Sequence, residues 1–138
     1  MKITREMVRG TAMGIRAIDN VIRYAENDAL IATASAQKEA LVRFHDEAAG
    51  ELPEKQATEA EGSKLAKAMV KASSAFSAMV NSDASHLARM LIEGYEMGIV
   101  SLQKCVNELE NKSKEVPAKA KELIKFYDKS IKELRAYL

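Results

Sequence analysis

The side chains in this sequence with types and spacing suited to chemistry are His45, Tyr127, Glu93 and Glu96. Glu93 and Glu96 are three residues apart, so on a helix their carboxylates share one side. Two carboxylates facing an imidazole from another helix are a ligand set for a divalent ion such as iron or manganese. Three groups are fewer than such an ion wants, however, and no fourth offers itself. The competing arrangement uses His45 and Tyr127 alone: both fall on apolar stripes, where an imidazole and a phenol can satisfy one another's hydrogen bonds in a core. That pairing is the expectation here, and no metal or other cofactor is expected. His86 stands beside Asp83 at the start of a helix and reads as a capping or surface group. Cys105 is the only cysteine, which rules out an intramolecular disulfide, and it reads as a small buried hydrophobe.

Helices must position these groups. The chain has 138 residues, 47% hydrophobic and 30% charged, with only two prolines and no tryptophan. That is enough for one domain with one core, rich in residues that favour helix. Aromatics are 5%, which predicts an aliphatic, small-residue core. Spacing of three and four predicts a first helix from about Thr4 to Asn27, capped by Thr4 and striped by Val8, Thr11, Ile15, Ile18, Ile22 and Ala25. A second runs from Asp28 or Ala29 to Glu51, with Leu30, Ala34, Leu41, His45, Ala48 and Leu52 inward, and Gly50 and Pro53 break it. Glu54 to Glu61 is polar and reads as a connection. Ser63 caps a short helix carrying Leu65, Met69, Ala72, Phe76 and Met79. A long helix from about Ala84 to Asn111 turns Leu91, Tyr95, Leu102 and Leu109 inward. Pro117 suits the first turn of the last helix, which buries Ala120, Leu123, Ile124, Tyr127, Ile131 and Leu134. No strand pattern appears.

The two halves repeat. Offset by 84 residues, Gly10, Met13, Gly14, Ile15, Glu26 and Asn27 fall on Gly94, Met97, Gly98, Ile99, Glu110 and Asn111. Offset by 82, Leu41, Phe44, Asp46, Glu51 and Leu52 fall on Leu123, Phe126, Asp128, Glu133 and Leu134, and His45 meets Tyr127. A helical hairpin used twice (about 4–52 and 83–138) has an apolar face on each copy that only the other can cover, with 53–82 as the crossover. Gly10, Gly14, Gly94 and Gly98 form matched pairs one turn apart inside helices, where each costs on the order of 1 kcal/mol relative to alanine. Their coincidence predicts close backbone contact between the first and third core helices. Met13 and Met97, also matched, read as core filler.

A duplicated hairpin with a long middle crossover resembles the ferritin-like superfamily. The stretch from Gly62 through Leu109 is similar to an uncharacterised bacterial branch of it, with a small helix in the crossover and the acidic-glycine-acidic run Glu93, Gly94, Glu96. The resemblance implies an all-α, ferritin-like four-helix bundle covering residues 1–138 as a single domain. Metal-binding members place one Glu on each of two helices and Glu-x-x-His on the other two. This chain departs from that set: Glu93 and Glu96 match Arg9 and Ala12, His45 is preceded by Val42, and Glu122 is followed by Lys125. The usual di-iron centre is therefore not expected.

Net charge is +1, which exerts no general pull on nucleic acid. Glu26 to Glu61 holds nine acidic and three basic residues, and Lys112 to Leu138 eight basic and four acidic, which reads as helix faces attracting one another inside the bundle. The N-terminus lacks the apolar run of a signal peptide, and no transmembrane span is visible, so a cytoplasmic protein is expected. The reading that follows is a non-catalytic helical module, acting as a homodimer or on another protein. A metal-binding or oxidoreductase protein with a degenerate iron or manganese site is the alternative. Lipid binding by the basic last helix is a third, with less behind it.

Overall fold

In the computed structural model, which describes residues 1–61 and 83–138, Asn27 divides the first two helices. Its side chain accepts from the Leu30 amide at 2.9 Å and so caps the second. Helix α1 spans Lys2–Tyr24 and α2 spans Asp28–Gly50, joined through Ala25 in an extended conformation. Helix α3 is Glu54–Glu61, α4 is Ala84–Asn111 and α5 is Ala118–Leu134, followed by a 3-10 turn at Arg135–Tyr137. The described residues are all-helical, without strand.

Four boundaries differ from expectation, the first being that α1 ends at Tyr24 rather than Asn27. Thr4 does not cap α1 but lies buried within it, because Ile3 and Met7 carry the apolar stripe one turn earlier. The segment Glu54–Glu61 is a helix rather than a plain connection, and its Ala57 and Ala60 pack against the core. Pro117 sits at the N-cap of α5, just outside the first turn. The short helix expected from Ser63 lies outside the described residues.

Helix α1 packs along α2 and also against α4, while α5 packs along α4 and against α2. The stripes meet between them, with Leu30, Leu41, Leu87, Leu102, Leu123 and Leu134 wholly or almost wholly removed from solvent. Each such side chain contributes about 1.5–3 kcal/mol of burial. Helix α4 ends in a left-handed turn. Ser113 has φ 54°, its amide donates to the Glu110 carbonyl at 3.0 Å, and the Lys114 amide donates to Leu109 at 2.8 Å. Those two bonds satisfy the last carbonyls of the helix and reverse the chain toward α5. No helix among the described residues is long and apolar enough to cross a membrane.

The core is not purely aliphatic. Phe44, Tyr95, Phe126 and Tyr127 form one aromatic cluster. Phe44 and Phe126, which match in the repeat, lie 5.7 Å apart between α2 and α5. Met13 and Met97 are exposed instead of filling the core, since both stand on the helix faces turned away from it.

Candidate functional site

Tyr127 of α5 lies against both α1 and α4. A Cβ added at Gly10 would sit 3.2 Å from its hydroxyl oxygen, and one at Gly98 would sit 3.0 Å from Cε2 and 3.2 Å from Cζ. Two of the four glycines therefore make room for a ring. Gly14 makes room for Leu41, whose Cδ1 would be 2.9 Å from an added Cβ, and Gly94 faces open space. At Gly10, Gly14 and Gly98 the atoms nearest an added Cβ belong to side chains rather than to another helix's backbone. The gaps are filled by side chains from α2 and α5, and the matched glycines are not in matched surroundings.

His45 is half-buried on α2 and shares a hydrogen bond with Thr11 of α1, Nδ1 to Oγ1 at 3.1 Å. The Thr11 hydroxyl is also 2.7 Å from the Met7 carbonyl. It has one proton, so donation to that carbonyl leaves Nδ1–H as the donor to Oγ1. Tyr127 is fixed by packing against the glycines. His45 thus meets a threonine of α1, and Tyr127 meets α1 and α4 at two glycines.

Glu93 and Glu96 lie on the exposed side of α4, where Arg89 donates to Glu93 at 3.2 Å. His45 faces α1, so the carboxylates and the imidazole are not brought together. Among the described residues no three His, Cys, Asp or Glu gather around a common point for a metal. Cys105 is buried, and that burial raises its thiol pKa, with Glu6 adding to the effect. A thiol held protonated is a poor nucleophile.

A second polar group lies outside the sequence expectations. The Tyr95 hydroxyl on α4 donates to Gln37 Oε1 on α2 at 2.8 Å. The Gln37 amide reaches across to α5, 3.4 Å from the Ser130 carbonyl and 3.3 Å from Glu133 Oε2. Near the end of the chain, the hydroxyls of Thr33 and Tyr137 are 2.7 Å apart. The network sets the register of three helices, joining a phenol, an amide and a backbone carbonyl to the Glu133 carboxylate at its outer end. The sequence does carry a signal for it, since Gln37 falls at the vacant inward position between Ala34 and Leu41.

Comparisons reach no relative. No protein-family model, curated protein or solved structure matches the chain. What the site can do must be argued from its residues, and those residues are occupied in holding helices together. At the surface, Lys119 pairs with Glu47 at 2.9 Å, so the acidic and basic stretches meet in part within the molecule.

Burial raises the phenol pKa of Tyr95, assisted by Tyr127, and raises that of Tyr127, assisted by Glu6. The unfolded chain ionises both near 10, whereas the folded chain resists. Their contribution to stability is full below that pH and is lost as pH rises toward the folded values. Alkaline titration should therefore show phenolate absorbance from these rings appearing together with loss of helical circular dichroism. Phenolate formation by both rings in a fully helical protein near pH 10 would contradict the packing described.

Proposed function

We propose that the chain is a four-helix bundle of ferritin-like architecture that works without catalysis, through association with another protein surface. Two kinds of observation support the reading. The groups with chemical potential are engaged internally: His45 with Thr11, Gln37 with Tyr95, and Tyr127 with two glycines. The observation that carries the proposal is on the outside of α4, where Met97 is 67% exposed and Val100 55% exposed. These are large apolar side chains one helical turn apart, and both face solvent.

Metal analysis of the purified protein, paired with its absorption spectrum, tests the non-catalytic reading. The expected result is no stoichiometric iron or manganese and no metal-derived absorption band. Retention of about two iron ions per chain after dialysis, as a di-iron carboxylate protein shows, overturns it.

A further inference from the structure

We infer that the exposed face of α4 is the contact surface for a second copy of this chain, packed antiparallel to the first about a twofold axis between Met97 and Val100. The inference rests on the association reading above and names its partner. Residues at i, i+4, i+7 and i+11 share one stripe on a helix. Beginning at Glu93 that stripe is Glu93, Met97, Val100 and Lys104, with an acid at one end, a base at the other and the two exposed apolar side chains between.

Such a strip is complementary to itself only when reversed. A twofold contact pairs residue i with j and j with i. Centred on the apolar pair, an antiparallel arrangement sets Met97 against Val100 of the second copy and Glu93 against Lys104 of the second copy, each twice. A parallel arrangement would instead stack Glu93 on its own equivalent and Lys104 on its own. Gly94, beside the stripe, is exposed and has no described residue within 4 Å of an added Cβ. The Arg89–Glu93 ion pair is exposed on both sides and weak enough to rearrange. One helix face buries less than the roughly 800 Å² per partner of a standard stable interface, so the dimer is weak and concentration-dependent.

Sedimentation velocity on the full chain, over a wide concentration range, is the test, with circular dichroism to show that each variant keeps its helices. The wild type should move from monomer to dimer as concentration rises. Met97→Lys should abolish the dimer. Glu93→Lys and Lys104→Glu should each weaken self-association about tenfold, by replacing two attractive contacts with two repulsive ones. Mixed one to one, the two substituted chains should associate at least as well as wild type, because each then meets its opposite. A dimer indifferent to all three substitutions shows that another face is used, and a wild type that stays monomeric shows that this face binds no second copy. Either result overturns the inference, while the metal content of the protein tests the absence of catalysis separately.

Discussion

Tyr127→Ala should destabilise the protein by about 3–5 kcal/mol, the range for truncating a buried aromatic side chain. The ring is 3% exposed, lies 5.6 Å from Tyr95 and 6.2 Å from Phe126, and is met by α1 and α4 at Gly10 and Gly98. The cost depends on whether neighbours can fall into the space left behind. Two of the walls are glycines, which have no side chain to move, so the cavity should persist and the loss should fall toward the upper end. Urea melts report it as a lower midpoint at unchanged slope. Tyr127→Phe is the control that keeps the ring and removes only the hydroxyl. A loss below about 1 kcal/mol for the alanine variant would mean that the ring is not wedged between helices.

Much of this architecture is legible from periodicity alone, and the failures have particular causes. The helix expected from Ala84 to Asn111 is the one observed, because its apolar stripe is long and is bounded by Asp83 and by the polar run after Asn111. At Thr4 a good capping residue competes with the apolar pair Ile3 and Met7, and burial of that pair is what extends the helix. Glu54–Glu61 escapes notice for a related reason: its inward side consists of alanines, which barely register in an apolar pattern. The aromatic cluster needs residues separated by up to 83 positions, Phe44 and Tyr127, so no local pattern could announce it. Gln37 is different, because its inward position can be counted and only its polarity argues against burial. Once Tyr95 is seen beside it, its amide is the group that offsets the desolvation of a buried phenol. For the candidate metal ligands, residue type is legible in the sequence but rotation about the helix is not. Glu93 and Glu96 are on one helix as expected, but the core side of that helix belongs to Leu91, Ile92, Tyr95 and Leu102.

The glycines show most clearly what spacing can and cannot convey. Gly98→Leu should destabilise by at least the roughly 1–3 kcal/mol typical of overpacking. Gly94→Ala, one turn away on the same helix, should stabilise by about 0.8–1.0 kcal/mol through helix propensity. The signs differ because of what stands opposite. An added Cβ at Gly98 already reaches 3.0 Å from the Tyr127 ring, whereas at Gly94 it meets nothing within 4 Å. Gly14→Leu should fall between, since its obstacle is one Leu41 methyl that can turn, although Leu41 is fully buried. Helix-to-helix backbone contact would also make Gly98→Leu costly, so that loss alone does not identify the neighbour. The Tyr127→Ala background does. If the ring is the obstacle, Gly98→Leu placed there enters the vacated space, and its penalty shrinks or reverses, giving a coupling of about 0.5–3 kcal/mol between the two positions. If α1 were the obstacle, the penalty would be unchanged when the ring is removed and the two losses would simply add. A double-mutant cycle from four urea melts measures that coupling, and additivity would return the glycine to the backbone contact that its spacing suggests.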